Sequence, residues 1–221
     1  DRDTAYSGGE NWKDPLIQEK VREFVAKGKG FIGVGEPTSY LEEGRLFTLS
    51  DVLGVDEEVS LTLSEDKYNI EKKKHFITED VISEVDYGEG KKNIYALDGT
   101  DVLDIRFSPR FERKVNVGEV LMAANSFGEG RSVYLAGLPY SPQNARILYR
   151  SILWASSKEE RIHRCFSTNV DTEVNYYPES RLYAIANNSS YDVETVFFDK
   201  NGRKERLSLS SGEIRWVKEH E

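Results

Sequence analysis

The stretch "AYSGGENWKDPLIQEKVREFVAKGKGFIGVGEPT", Ala5 to Thr38, decides the fold. Within it Asp14-Pro15 is a helix start. Asp supplies the N-cap acceptor, and Pro takes the first helical position, where a missing N–H costs nothing. Ile17, Val21, Phe24 and Val25 recur at i, i+4, i+7 and i+8 and share one helical face. Gly28 stands where a helix C-terminus favours a residue free to take positive φ. "FIGVG", Phe31 to Gly35, is a short apolar run bounded by Gly and Pro, and it reads as a buried strand. "TAYSGG" reads as an earlier strand ending in a Gly turn. Strand, helix and strand together predict a parallel pair with a right-handed crossover.

The same lines hold "GKGFIG", Gly28 to Gly33, which has the spacing G-x-G-x-x-G. In a dinucleotide site the glycines follow a strand and open a helix, whose N-terminus holds the pyrophosphate. Here the order is reversed. The glycines close a helix and enter a strand, so the motif is a helix cap and no dinucleotide is expected.

Further along, "LFTLSDVLGV" (Leu46–Val55) reads as a short helix and Lys67 to Lys74 as an exposed loop. "NIYALD" and "DVLDIRF" read as short strands. "GEVLMAANSFGEGRSVYLAGLP" reads as a hairpin, Val120–Phe127 and Ser132–Leu138, around the turn "GEGR". Ser141-Pro142 repeats the N-cap-plus-Pro start, and Ala145, Leu148, Tyr149, Ile152 and Leu153 line one face of the helix that follows. Residues 1 to about 158 thus read as an α/β sheet closed by a hairpin and a final helix. After "SSKEERIHR" only short strands remain: "EVNYY", "RLYAIANN", "DVETVFFD", "KERLSLS" and "GEIRWVK". Asn201-Gly202 marks a tight hairpin turn. "LSLS" alternates, and Ile214 and Trp216 share a face. This predicts a small antiparallel sandwich.

Composition limits the partners. The net charge is −9, which repels phosphate backbones, so nucleic acid is not an expected partner. No apolar run approaches the roughly eighteen residues of a membrane span, so no membrane association is expected. No basic start and apolar segment marks a secretory leader. One cysteine, Cys165, excludes an internal disulfide and suits a reducing compartment; the expected location is cytoplasmic. The first residues lack a Met and begin within what reads as a strand, so a piece of a longer polypeptide is expected.

The end of the Phe31–Gly35 strand is the first place for candidate chemistry. Class I glutamine amidotransferase-like domains place a Cys on the turn after such a strand, in a G-x-C-x-G context. Laid on "GVGEP", that pattern puts Gly33 first, Gly35 at the Cys position and Pro37 at the last Gly. No thiol or hydroxyl is there to attack anything. Glu36 sits at the carboxyl end of this strand, where open α/β sheets place their ligands. Glu36 is therefore the first candidate ligand contact, with Tyr6, Glu10 and Trp12 beside the neighbouring strand end. Cys165 lies two residues from His163, spacing that could form a thiolate pair, but no third orienting group is visible. His75, His163 and His220 have no ligand-spaced partners, so no metal is expected. No cofactor is expected.

"AYSGGENWKDP", "GKGFIGVGEPT", "GRLFTLSDVLGVDEE" and "NSFGEGRSVYLAGLPYSPQNARILYRSILWA" resemble the lacto-N-biose/galacto-N-biose phosphorylases, also called 1,3-β-galactosyl-N-acetylhexosamine phosphorylases. "YYPES" and the strands after it resemble the C-terminal β domain of the same family. The resemblance implies an amidotransferase-like (flavodoxin-like) α/β central domain, residues 1–160, with a mostly parallel sheet and flanking helices. It implies a small all-β antiparallel sandwich domain over 161–221. It also implies an upstream TIM-like barrel in the parent polypeptide, and a homodimer. The family reaction is inverting phosphorolysis. Phosphate attacks a β-galactosyl anomeric carbon, a carboxylic acid protonates the leaving oxygen, and α-galactose 1-phosphate leaves with the acceptor sugar. Phosphate and the galactosyl disaccharide are bound mainly by the barrel, so no catalytic residue is carried onto this chain. The expectation is a non-catalytic part that scaffolds, dimerises or closes the barrel site. The alternative is a stand-alone amidotransferase-like binding module for a sugar or peptide. A hydrolase using Cys165 ranks last.

Overall fold

The computed structural model describes residues 10–38, 47–58, 71–110 and 115–219; within these, the side chains at 10, 108–110 and 115–117 are left out. A 3₁₀ turn, Glu10–Lys13, leads into α1, Pro15–Ala26. The Asp14 carboxylate accepts from the Leu16 N–H at 2.9 Å, the predicted cap. Gly28 leaves the helix at φ 86. Of the face expected to pack, only Val25 is buried, whereas Phe24 is 53% exposed and Ile17 37%. Helical spacing put these side chains together but did not say how much of the stripe the sheet covers.

The central sheet runs β1 (Gly30–Val34), β6 (Gly130–Leu135), β5 (Val115–Phe127), β4 (Asp101–Arg110). β1 pairs β6 in parallel, while β5–β6 and β4–β5 are antiparallel. Among the described strands the sheet is therefore mixed, not mostly parallel as expected. The cause is local. The two-residue connection Gly128-Glu129 can only turn the chain back on itself, and it fixes β5 and β6 antiparallel. That turn sits against α1, since a Cβ on Gly130 would overlap the Val25 carbonyl oxygen. The expected pairing of "TAYSGG" lies outside the described residues.

Around this sheet lie α2 (Ser50–Leu53) and a two-stranded piece, β2 (Val55–Glu57) with β3 (Ile94–Ala96). The last helix, α3 (Pro142–Ala155), is capped by Ser141, whose hydroxyl accepts from the Asn144 N–H at 3.1 Å. Tyr134, Leu135, Met122, Phe47 and Ile147 are fully buried in the core these elements enclose. α3 is tied down by ions as well as by apolar packing. Arg150 is 4% exposed. It grips Asp80 with two bonds, 2.7 and 2.9 Å, and also donates to Glu79 and to the Phe76 carbonyl. Arg146 bonds Asp80 and reaches across to the Ser167 carbonyl at 2.9 Å.

The remaining strands are β7 (Phe166–Ser167), β8 (Thr172–Tyr177), β9 (Leu182–Asn187), β10 (Val193–Phe198), β11 (Lys204–Leu209) and β12 (Ile214–Lys218). They form two antiparallel three-stranded sheets, β11-β10-β7 and β12-β9-β8. Tyr183, Ile185, Val193, Phe197, Leu207 and Leu209 close a second core between them. Ile214 and Trp216 do share a face, but it is the open one, 57% and 56% exposed. At Asn201-Gly202 the turn is held by Asp199, whose carboxylate accepts from the Asn201 and Arg203 N–H groups.

Candidate functional site

β1 delivers the chain to the carboxyl end of the sheet, where Gly35 adopts φ 67. A Cβ built on Gly35 would meet nothing within 4 Å. The turn thus offers an open place for a nucleophile and supplies no side chain to fill it. Thr38, at φ 57, is a second left-handed residue in the same turn. A β-branched side chain there is an outlier. Its hydroxyl is buried with no hydrogen-bond partner among the described residues.

Glu36 turns back onto the protein. Lys91 donates from Nζ to Glu36 Oε1 and, at 2.9 Å, meets Glu57 Oε1. The three side chains are largely enclosed, 30% exposed at Glu36, 16% at Lys91 and 10% at Glu57. Burial works against the charged amine of Lys91. Its bonds to Glu36 and Glu57 outweigh that and hold its pKa above the ordinary lysine value. The Lys91 N–H also bonds the Ala136 carbonyl at 2.8 Å, which fixes the loop against the end of β6. Beneath the triad, Tyr134 is fully buried and donates to the Gly35 carbonyl at 3.2 Å. Burial first, then the charges of Glu57 and Glu36, push its pKa well above the ordinary tyrosine value. Tyr134 is a fixed hydrogen-bond donor that supports the turn.

The other sequence candidates do not meet Glu36 within the described residues. Trp12 packs with Val25, Leu49 and Val52 on the α1 side, and its carbonyl accepts from Gln18 Nε2 at 2.7 Å. Tyr6 and the side chain of Glu10 lie outside the described residues. Lys91, Glu57 and Tyr134 were missed. Lys91 comes from the polar run "GEGKKN" and lies 55 residues from Glu36, a separation that leaves no local signature.

Cys165 and His163 do not make a catalytic pair. The His163 ring stacks on Phe198 with centroids 4.7 Å apart. Burial, then the Asp199 charge, raises the Cys165 thiol, the opposite of an activated thiolate. His75 caps the 3₁₀ turn Phe76–Thr78 through Nδ1, and burial lowers its pKa. No cluster of three or more His, Cys, Asp or Glu residues suited to a metal occurs among the described residues. Among the same residues, no helix is long and apolar enough to cross a membrane.

A mixed sheet with flanking helices joined to a small pair of antiparallel sheets is an arrangement found elsewhere. A β-galactosidase from Rahnella sp. R3 superimposes over 91% of this chain and 30% of its own, with a TM-score of 0.52 at 14% identity, a likeness of fold. The family comes from closer comparison. Residues 1–160 match the model of the lacto-N-biose phosphorylase central domain, and residues 165–217 match that of the lacto-N-biose phosphorylase C-terminal domain. The chain belongs to this family. It is 45% identical over 213 residues to a 1,3-β-galactosyl-N-acetylhexosamine phosphorylase of Lachnoclostridium phytofermentans, covering 96% of this chain and 28% of that relative. To the 1,3-β-galactosyl-N-acetylhexosamine phosphorylase of Bifidobacterium longum subsp. longum it is 35% identical over 247 residues, covering 97% of this chain and 32% of that relative. The chain thus spans less than a third of these relatives' lengths.

Proposed function

We propose that this chain is the non-catalytic C-terminal part of a sugar phosphorylase. The whole enzyme would convert a β-1,3-galactosyl-N-acetylhexosamine and phosphate into α-galactose 1-phosphate and the free N-acetylhexosamine, with inversion. The observation that carries this reading is the end of β1. Gly35 offers no nucleophile, and Glu36 is engaged by Lys91. Inverting phosphorolysis needs one carboxylic acid at the leaving oxygen and cationic or N–H donors for the phosphate. The Glu36–Lys91–Glu57 group instead closes its own charges on one another. Chemistry then falls to a TIM-like barrel upstream in the parent polypeptide.

In this reading residues 1–160 form an amidotransferase-like, flavodoxin-like central domain that has lost its nucleophile, and residues 161–221 form a separate sandwich domain. Together they scaffold the barrel, contribute to a homodimer or close the active site. Glu36 presents the end of the sheet to the substrate side, while Trp12 packs on the α1 side and supports that end only indirectly. The protein works in the cytoplasm, without nucleic acid, membrane or cofactor.

The test is galactose 1-phosphate release from galactosyl-β-1,3-N-acetylglucosamine and phosphate. This chain is assayed beside the polypeptide extended upstream to the length of its relatives. Turnover by the extended form alone is expected. Turnover by the 221 residues would overturn the scaffold reading.

A further inference from the structure

A concave site lies away from the end of β1, between the N-terminal half of α3 and strands β7 and β8. It is a cleft of about 270 Å³. Tyr140 stands at its mouth, 94% exposed, and Tyr149 faces it at 37% exposure. An exposed ring of this size on a short loop between β6 and α3 gains nothing for the fold. Pro142, Phe166 and Val174 supply an apolar floor. One wall is polar. Glu173 accepts from Asn188 Nδ2 at 3.4 Å and from Asn175 Nδ2 at 3.1 Å; both Glu173 and Asn188 are exposed, and each carboxylate oxygen retains a second lone pair.

The charges say what does not bind. The cation on the lining, Arg146, is spent on Asp80 and on the Ser167 and Asn169 carbonyls, and its guanidinium lies over the Phe166 ring at 4.2 Å. Glu173 leaves a carboxylate at the wall. An anion would meet repulsion there and find no free cation among the lining side chains. A purely apolar ligand would strip water from Glu173 and Asn188 without replacing it. A ligand that suits both walls has one face of C–H bonds and an edge of hydroxyls. Its C–H groups, weakly positive, pack on the negative face of a tyrosine ring. Its vicinal hydroxyls meet the planar carboxylate and amide, the arrangement of few placed polar groups in an apolar recess.

We propose that this cleft binds a neutral pyranose residue, a saccharide subsite separate from the end of β1. The site is built entirely by this chain, so the proposal stands without any phosphorolysis.

Cys165 lines the same cleft and is the only cysteine of the chain, so it reports occupancy. Alkylation of Cys165 by iodoacetamide is followed with galactose, N-acetylglucosamine or galactosyl-β-1,3-N-acetylglucosamine at rising concentration, and with glucuronate as the anionic control. Backbone amide NMR shifts are recorded in parallel. Saturable, several-fold protection by a neutral sugar, with shifts at Tyr140, Tyr149, Glu173 and Asn188, is expected. Tyr140→Ala removes only exposed surface and should fold normally; it should weaken binding by about tenfold, the loss of one stacking ring. Glu173→Gln should let glucuronate bind. Absence of protection and of shifts for all three sugars overturns the proposal. So do equal protection by glucuronate in the unmodified chain, or shifts confined to the Glu36 end.

Discussion

Two places in this molecule put one cation between two carboxylates, and they behave differently. At the base of α3, Arg150 holds Asp80 through two parallel bonds, adds Glu79 and the Phe76 carbonyl, and lies over the Phe76 ring at 4.6 Å. At the end of β1, Lys91 sits between Glu36 and Glu57 as a point charge. The guanidinium is planar and fixes the direction of every partner, so it acts as a rivet between α3 and the 3₁₀ turn. The ammonium fixes distance but not direction; of its partners Glu36 is 30% exposed at the end of β1, while Glu57 is enclosed at 10%. The first arrangement ties α3 to the 3₁₀ turn; the second ties the turn after β1 to β2 and the loop at Lys91.

Removing the cation at each place tests that contrast. Arg150→Ala removes four bonds from a buried guanidinium, leaving Asp80 with Arg146 alone, and should cost about 3 kcal/mol by urea unfolding. A loss near the surface-pair range would make the rivet reading wrong. Lys91→Ala should cost less, about 2 kcal/mol, because it removes two side-chain bonds rather than four. Its pH dependence sharpens the point. The folded-state pKa of Lys91 is raised, so its stabilisation is complete below the ordinary lysine value and is lost as pH rises through the folded value. Unfolding midpoints followed above pH 10 should therefore fall in the unmodified chain, and this limb should flatten in Lys91→Ala.

Gly35→Ala comes next. A Cβ there meets open space, so the whole effect is the left-handed backbone, about 1 kcal/mol. A much larger loss would mean the site is not open. The smallest effect is expected for Glu36→Gln, about 0.5 kcal/mol, since a half-open ion pair is exchanged for a hydrogen bond. In the upstream-extended polypeptide the same change should alter KM more than kcat, if Glu36 faces substrate without taking part in the reaction.

Legibility followed the range of the interaction. Both long helices could be read at their starts, because Asp14-Pro15 and Ser141-Pro142 act within three residues. The turn at Gly128 and the hairpin around it were legible for the same reason. The direction of the sheet was not. Strand, helix and strand predicted one parallel pair and the family resemblance a mostly parallel sheet, yet the described partner of β1 is β6, some hundred residues on, and among the described strands of this sheet only that pair is parallel. At the candidate site Glu36 could be picked from its place after a strand. Its partners could not, since Glu57 and Lys91 sit in ordinary charged runs.

The sequence by itself determined the long helices, the hairpin at Gly128 and the missing nucleophile at Gly35, because caps, alternation and the absence of a side chain are local facts. Its long distinctive motifs also determined the family. The tertiary structure alone decided that Lys91 stands between Glu36 and Glu57, that much of the α1 stripe stays open, and that two tyrosines face Glu173 and Asn188 across a cleft. Charge pairing and cleft geometry join residues far apart in the chain, and such contacts carry no period for a sequence to display.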